Sequence, residues 1–194
     1  GFLNFTLSKD RFSTVISEVL AQKENYGQQP ANGIKVDLEY VSANPTGSLH
    51  LGHARGAAWG DSCARIMKKA GYDVTREYYV NDAGNQITNL ALSLNARYRQ
   101  AQGIPTEIGQ DGYMGKDVEE KGYELAKEYP QTYLEPTEEN LKFFKKEGIK
   151  FELDKIRKDL DRYRVHFDVW SSEQSIRDAG KVEAAINELN EKGY

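Results

Sequence analysis

The chain has 194 residues, of which 39% are hydrophobic and 29% charged, and its formal net charge at pH 7 is −4. This length can bury one good core, or one domain with a sizeable insertion, and no apolar run approaches the length of a membrane span. A single cysteine, Cys63, excludes an internal disulfide framework and fits a reducing cytosol.

Charge is distributed unevenly along the chain. Residues 1–102 carry a net charge of +2 and residues 103–194 a net charge of −6. Neither part is a basic platform for nucleic acid, so long-range attraction to phosphate gives little support to that class of partner. We expect a piece of a longer protein, because Gly1 replaces a start methionine and Tyr194 follows a glycine of the kind that ends a helix.

The first hundred residues predict an α/β unit. A lead-in with one helix near residues 8–24 precedes residues 34–41, where apolar and polar side chains alternate with the period of a strand. From residue 52 the apolar residues follow helical spacing, and Gly71 ends this predicted helix. The predicted apolar stripe of the helix comprises Trp59, Cys63, Ile66, Met67 and Ala70.

A second strand is predicted at residues 73–80, and a second helix with apolar positions from Ile87 to Tyr98 fades out near Gly103. A strand, a long helix and another strand form a crossover unit, which is parallel and right-handed by strong preference. We therefore predict an α/β fold with parallel strands and place a nucleotide-binding type of domain at about residues 1–102.

The remainder, residues 103–194, predicts a mostly helical module. Three charged or amphipathic helices are predicted, at residues 117–129, 137–164 and 178–192. Gly148 is expected to break or kink the longest of them. The stretch "HFDVWSSEQS" between the last two helices is irregular or strand-like.

The stretch "SANPTGSLHLGHARG", Ser42 to Gly56, lies where the first strand passes into the first long helix. In an open parallel sheet, ligands bind beyond the carboxyl ends of the strands and at helix N-termini. Small residues keep the first helical turns bare, and His50 and His53 place ring nitrogens beside the free backbone amides. Such donors suit negative charge that develops on a pentacoordinate phosphorus.

Other interpretations of the two histidines are open at this point. A metal site needs further ligands, but His166 is distant in sequence and Cys63 lies on the apolar stripe. The pair could also be surface histidines that follow a turn, although the run of small residues argues against this. A dinucleotide site is disfavoured because the turn lacks the required glycine pattern.

Several stretches resemble one family. "HLGH" matches the HIGH signature of class I aminoacyl-tRNA synthetases, and "SANPTGSLHLGHARG" resembles the form that the signature takes in arginyl-tRNA synthetases. "REYYVNDAGNQI", "GFLNF" and "FDVWSSEQS" resemble further blocks of that family and occur in the expected order. The resemblance implies the first half of a Rossmann-like (HUP-type) nucleotide-binding domain, followed by part of a helical insertion.

The resemblance does not extend to the whole family pattern. The family's N-terminal tRNA-binding domain, the lysine-bearing second half of its catalytic fold and its anticodon-binding domain have no counterpart in the sequence. No KMSKS-like loop is found, since "IMKKAG" lies inside the helix after HLGH.

The resemblance implies roles at the strand-to-helix corner. His50 and His53 would bind the phosphates of ATP and stabilise the transition state, and His53 would also border the amino acid. Gly52 would let adenine lie against the backbone. Asn44 would hold the amino or carboxylate end of arginine, and Ser42 would shape that pocket.

Glu39 is a candidate on physical grounds as well. A guanidinium is permanently charged and offers forked donors, so a pocket for arginine needs a well-placed carboxylate. Glu39 lies near the carboxyl end of the first strand, where the crevice is expected to open. The alternative is a solvated strand carboxylate, and we assign no role to Asp37 on the same face.

The stretch "VNDAGNQ" ends the second strand and opens the second helix. Four of its side chains are candidates for a wall of the active site: Asn81, Asp82, Asn85 and Gln86. Helix capping by Asn81 or Asp82 explains two of them equally well.

The resemblance implies an arginine–tRNA ligase that uses ATP with Mg²⁺ as substrate, has no structural metal, and acts with arginine and tRNA(Arg). We expect a cytoplasmic, monomeric parent enzyme without a membrane association, and little activity from this piece alone. Two alternatives are kept: another HxGH nucleotidylyltransferase, or a non-catalytic synthetase-like module that binds RNA.

Overall fold

The order of helices and strands follows the sequence prediction closely. A computed structural model describes the chain from Gly1 to Tyr194. Its elements are α1 (Lys9–Gln22), β1 (Lys35–Glu39), α2 (Leu51–Lys69), β2 (Asp73–Val80), α3 (Asn85–Ala101), α4 (Lys116–Glu128), α5 (Glu138–Arg162), β3 (Val169–Ser172), α6 (Glu173–Asp178) and α7 (Lys181–Glu191). The last helix predicted at residues 178–192 corresponds to α7, and Gly180, with φ +65°, separates it from the short helix α6, which was not predicted. None of the helices combines the length and apolar character that a transmembrane span requires.

The three strands form one parallel sheet in the order β1-β2-β3. In its register Glu39 lies opposite Glu77, and Val80 opposite Ser172. The predicted parallel crossover from β1 through α2 to β2 is confirmed. Strand β3 lies beyond residue 102, in the stretch predicted to be irregular or strand-like, and extends the sheet of the first unit. The division at residue 102 stays a prediction, but the second part is not purely a helical module.

Long-range contacts bring β3 to the sheet. The guanidinium of Arg76, on β2, donates two hydrogen bonds of 2.9 and 2.8 Å to the carboxylate of Asp168, just before β3. These bonds hold the pKa of Asp168 well below its ordinary value. The ring of Trp170, on β3, stacks on Tyr78 of β2 with centroids 4.3 Å apart. Both contacts join residues that are about ninety positions apart, which explains why local sequence reasoning assigned only a strand-like character to this stretch.

Helix α2 packs on the sheet through small residues. The buried side of α2 consists of Ala57, Gly60, Asp61 and Ala64. A Cβ at Gly60 would collide with the ring of Tyr40, so glycine lets the helix lie close to β1. The predicted stripe is therefore wrong as a buried face: Trp59 is 74% exposed and Ile66 is 68% exposed.

A second core lies between α3, α4 and α5. It includes Leu90, Leu94, Tyr98, Leu125 and Phe144. The predicted break in α5 is wrong, because the helix runs without interruption through Gly148. This glycine is buried where α5 meets α3, and a Cβ there would lie 2.8 Å from Leu94 Cδ1.

Helix α5 joins the two cores. Phe144, near its start, belongs to the core with α3 and α4. Ile156 and Leu160, near its end, pack with Ala57 of α2 and Tyr78 of β2. The helix therefore extends from the helical part of the molecule to the start of α2, where the candidate site lies.

Candidate active site

The two histidines of the HLGH stretch cap the N-terminus of α2. His50 is the N-cap residue, with extended φ and ψ of −123° and 177°. Its Nδ1 accepts a hydrogen bond of 3.1 Å from the Gly52 N–H, and His53 Nδ1 accepts one of 3.2 Å from the His50 N–H. This reciprocal pattern is a capping box in which imidazoles replace the usual hydroxyl and carboxylate. The two rings stack with centroids 3.8 Å apart.

The hydrogen bonds of the rings fix their chemistry. Because each Nδ1 accepts, each neutral ring carries its proton on Nε2. Burial, and then the charge of His50, lower the pKa of His53, which favours its neutral form. Both Nε2–H groups are thus available as donors at a helix N-terminus, where the backbone also favours an anion.

The absence of a side chain at Gly52 leaves space for the His50 ring. A Cβ at position 52 would lie 2.9 Å from His50 Cε1 and 3.1 Å from His50 Nδ1. The bare backbone at Gly52 therefore serves the neighbouring imidazole, in addition to any approach by a ligand.

Both histidines line a cavity of about 490 Å³, a size that suits a small-molecule ligand. Its other wall is formed by Asp159, Leu160 and Tyr163, from the end of α5 and the residue after it. These three residues were not among the site residues predicted from the sequence. No local signal marks them, because their place at the site depends on the packing of α5 against α2.

The loop after β1 has a strained backbone at the candidate site. Val41 has φ +68° and Ser42 has φ +38°, values that side chains with a Cβ rarely adopt. The Ser42 N–H donates to the Tyr40 carbonyl at 3.0 Å, so Val41 is the centre of a three-residue turn. Strain of this kind costs about 1–3 kcal/mol per residue and persists only where the surrounding structure imposes it.

Strand β2 supplies the contacts that hold this loop. The Tyr78 hydroxyl, which is fully buried, donates to the Ala43 carbonyl at 2.8 Å. The Tyr79 N–H donates to Ser42 Oγ at 3.0 Å. Ser42 therefore shapes the loop through its own side chain. These roles of Tyr78 and Tyr79 were not predicted from the sequence, because they depend on the register of β1 and β2.

The structure brings Asn44 and Gln86 together. Asn44 Nδ2 donates a hydrogen bond of 2.7 Å to Gln86 Oε1, which connects the loop after β1 to the first turn of α3. Two side chains predicted at different parts of the site are thus direct neighbours.

The structure does not bring Glu39 to the histidines. Glu39 is the last residue of β1, and it is exposed. It lines a separate cavity of about 380 Å³ together with Arg55 and Trp59, whereas His50 and His53 line the first cavity. The first turns of α2 lie between the two cavities.

Asp82 has a structural role that the sequence analysis did not identify. Its carboxylate accepts hydrogen bonds of 2.6 Å from Ser172 Oγ and 2.9 Å from the Gln174 N–H. It thereby ties the end of β2 to the start of α6. The prediction that Asn81 or Asp82 caps α3 is wrong, because the N-cap of α3 is Gly84, with φ +86°.

No cluster of three or more histidine, cysteine, aspartate or glutamate side chains is placed to hold a metal ion. His166 instead lies with its Nδ1 3.1 Å from a carboxylate oxygen of Asp161. The hydrogen bonds accepted by the two Nδ1 atoms leave Nε2–H donors at the start of α2, which suit an anionic ligand.

Comparison with known proteins gives consistent matches. The model of the family described as "tRNA synthetases class I (R), catalytic domain" matches residues 15–194. The Arginine--tRNA ligases of Bacillus pumilus and Bacillus subtilis are 53% and 51% identical to the chain over its full length. The chain spans only 35% of the length of these curated relatives.

Solved structures agree with these sequence matches. A Campylobacter jejuni crystal structure described as an arginyl tRNA synthetase superposes with a TM-score of 0.83 at 32% identity. The match covers 96% of this chain and 41% of that one. An arginyl-tRNA synthetase from Plasmodium falciparum, at 18% identity and a TM-score of 0.59, shares the fold. The chain belongs to the family of class I tRNA synthetase (R) catalytic domains.

Proposed function

We propose that the chain is the first half of the catalytic domain of an arginine–tRNA ligase, with part of its insertion, and that it contributes to the activation of arginine by ATP. In that reaction a carboxylate oxygen of arginine attacks the α-phosphorus of ATP, and the bond to pyrophosphate breaks to give arginyl-adenylate. A hydroxyl of the terminal ribose of tRNA(Arg) then attacks the acyl carbon and releases AMP. The names of the relatives that match the full chain support this reaction.

The observation that carries the proposal is the orientation of the histidine pair. Both Nδ1 atoms accept backbone hydrogen bonds, so both Nε2–H groups are left to donate beside the cavity of about 490 Å³. When the α-phosphorus becomes pentacoordinate, its oxygens gain negative charge. His50 and His53 can then stabilise that charge without reorganisation, which is typical of a preorganised site.

The amino-acid end of the site is proposed from the loop after β1. Asn44 holds the amino or carboxylate end of arginine, Ser42 shapes the loop, and Glu39 binds the guanidinium. The exposed position of Glu39 at the carboxyl end of β1 supports its role, because an ion pair with a guanidinium needs an accessible carboxylate. Asn81, directly after β2, and Gln86, in the first turn of α3, border the same region.

The partners follow from the same proposal. ATP enters with Mg²⁺ bound to its phosphates, as a substrate complex, and tRNA(Arg) accepts the arginyl group. We propose a cytoplasmic and monomeric full-length enzyme. Because the chain spans about a third of its relatives, we also propose that this piece alone has little activity. Catalytic groups that are separated lose much of the advantage of proximity.

Arginine-dependent pyrophosphate exchange tests the proposal. The full-length enzyme should exchange pyrophosphate into ATP with arginine, and the 194-residue chain should show no exchange, even with tRNA. In the full-length enzyme His53→Ala should lower the exchange rate about a hundredfold, the loss typical of one transition-state donor. Near-normal exchange by His53→Ala would contradict its role, and exchange that depends on a substrate other than arginine would favour a different nucleotidylyltransferase.

A further inference from the structure

The inference concerns the side-chain hydrogen bond between Asn44 and Gln86. Asn44 Nδ2 donates to Gln86 Oε1 at 2.7 Å, and the two residues are 42 positions apart in sequence. Asn44 is half-buried in the loop after β1, and Gln86 is exposed in the first turn of α3. A bond between two flexible amides at the carboxyl ends of neighbouring strands therefore fixes both of them.

The backbone of Asn44 is already held by other contacts. The Ala43 carbonyl accepts from the buried Tyr78 hydroxyl, and the Thr46 N–H donates to the Asn44 carbonyl at 2.8 Å. These contacts do not determine the orientation of the Asn44 side-chain amide. Gln86 fixes that orientation, because Gln86 is the hydrogen-bond partner of the amide within the chain.

The direction of the bond determines what Asn44 offers to a ligand. Its Nδ2 is engaged as a donor to Gln86, whereas its Oδ1 makes no hydrogen bond within the chain. An amide oxygen is an acceptor only, and an acceptor pairs with an ammonium group and not with a carboxylate.

We infer that Gln86 is a positioning residue, which orients the Asn44 amide so that its Oδ1 faces the α-ammonium group of bound arginine. This inference rests on the proposed function, and it extends that proposal by choosing the amino end of arginine as the group that Asn44 contacts. Gln86 itself does not touch the substrate.

Two substitutions in the full-length enzyme separate the acceptor from the bulk of the side chain. Gln86→Met keeps the length but loses the acceptor, whereas Gln86→Glu keeps an acceptor for Asn44 Nδ2. Gln86→Met should raise the KM for arginine roughly five- to tenfold in pyrophosphate exchange. This is about the change in affinity expected from the loss of one hydrogen bond between neutral groups. The KM for ATP should not change, and Gln86→Glu should restore the KM for arginine to within about twofold.

An arginine analogue tests the ammonium contact directly. The competitive inhibitor 5-guanidinopentanoate lacks the α-amino group but keeps the carboxylate and the guanidinium. Gln86→Met should raise the KM for arginine and leave the inhibition constant of this analogue unchanged. Equal weakening of both compounds would overturn the assignment of the ammonium end.

A double-mutant cycle tests whether Gln86 acts through Asn44. In an Asn44→Ala background, Gln86→Met should have no further effect on the KM for arginine, because its target is gone. Gln110→Met, at an exposed glutamine in the loop between α3 and α4 that makes no side-chain hydrogen bond, is the matched control and should behave like the parent.

The outcomes separate this inference from the proposed function. A parent enzyme that shows no arginine-dependent exchange overturns both. An active parent with an unchanged KM for arginine in Gln86→Met overturns the inference alone, as does a parallel rise in the KM for ATP. If Gln86→Met lowers the melting temperature, the KM for arginine is measured in Gln86→Ala, which also removes the acceptor. An unchanged KM for arginine in Gln86→Ala then overturns the inference.

Discussion

His53 is the side chain that combines most of the constraints at the site. Its Nδ1 accepts a backbone N–H that the helix itself cannot satisfy, and its ring stacks on His50. Protonation of Nδ1 would remove this acceptor. Burial and the neighbouring charge accordingly lower the pKa of His53 below its ordinary value of 6.5. The hydrogen bond accepted by Nδ1 orients the Nε2–H donor. Because this bond is lost when Nδ1 is protonated, the protonation of His53 is coupled to the stability of the start of α2.

The stability of the chain should depend on pH through this residue. Since the pKa of His53 is lower in the folded than in the unfolded state, the unfolded state binds more protons in the interval between the two values. The free energy of unfolding should therefore fall as the pH is lowered from about 7.5 to about 5.5, and the loss begins near the ordinary value of 6.5.

Thermal unfolding of the unsubstituted 194-residue chain, here the parent, and of its His53→Gln variant at both pH values measures this effect. Glutamine is a usual third residue of a capping box and does not titrate, so it keeps the backbone contact. The melting temperature of the parent should fall more than that of the variant over this interval. Equal losses in the two proteins would show that His53 does not cause the dependence.

The residue types at the corner could be predicted from the sequence, but their partners could not. The pattern around His50 and His53 indicated donors for an anion at a helix N-terminus, and the structure places them there. The bonds from Tyr78 to Ala43 and from Asn44 to Gln86 depend on which residues of β1 and β2 lie opposite each other. Register is a property of the assembled sheet, and periodicity does not specify it.

Among the elements, α2 shows how periodicity can select the wrong face. Two stripes of α2 follow helical spacing, one of large apolar residues around Trp59 and one of small residues around Gly60. The small stripe is buried, because it allows the helix axis to approach the ring of Tyr40, the residue after β1. A prediction that ranks residues by hydrophobicity alone selects the large stripe, which in this chain faces solvent.

A close approach of helices also sets the stability of the α3–α4 pair. A Cβ at Gly122, on α4, would lie 2.5 Å from Arg97 Cβ and 3.2 Å from the Tyr98 backbone nitrogen on α3. Gly122→Ala should therefore lower the free energy of unfolding by about 1–3 kcal/mol through overpacking, despite the better helix propensity of alanine.

The matched control is Gly56→Ala, on α2, where an added Cβ meets no atom within 4 Å. There the gain in helix propensity acts alone, so the free energy of unfolding should rise by about 0.5–1 kcal/mol. Chemical denaturation of the two variants measures both changes. A rise in the free energy of unfolding for Gly122→Ala, as for Gly56→Ala, would show that α3 and α4 pack less closely than the structure indicates.

Across the entire chain, the two tryptophans differ sharply in environment. Trp59 lies on the solvent-facing stripe of α2 and is 74% exposed. Trp170 is half-buried between two contacts, a stacked Tyr78 ring at 4.3 Å and the Arg157 guanidinium at 4.5 Å from its centroid. Trp59 should thus report on the uncovered side of α2, and Trp170 on the packing of β3 and α5.

Acrylamide quenching of the fluorescence should distinguish the two environments in the 194-residue chain. With Trp170→Phe, only Trp59 emits, and its quenching constant should be several times larger than that of Trp170 measured in Trp59→Phe. Similar constants would mean that the α2 stripe is covered in solution or that β3 has separated from the sheet. Circular dichroism of both variants verifies that the helices are retained.

The continuity of α5 has a mechanical consequence. At 1.5 Å per residue, its 25 residues form a rod of about 37 Å. The rod is packed among the helices at one end and borders the cavity lined by His50 and His53 at the other. A tilt of roughly 3° about its midpoint would shift the far end, and with it Tyr163, by about 1 Å. A force applied to the distant helical end would thus change the width of the cavity at His50 and His53.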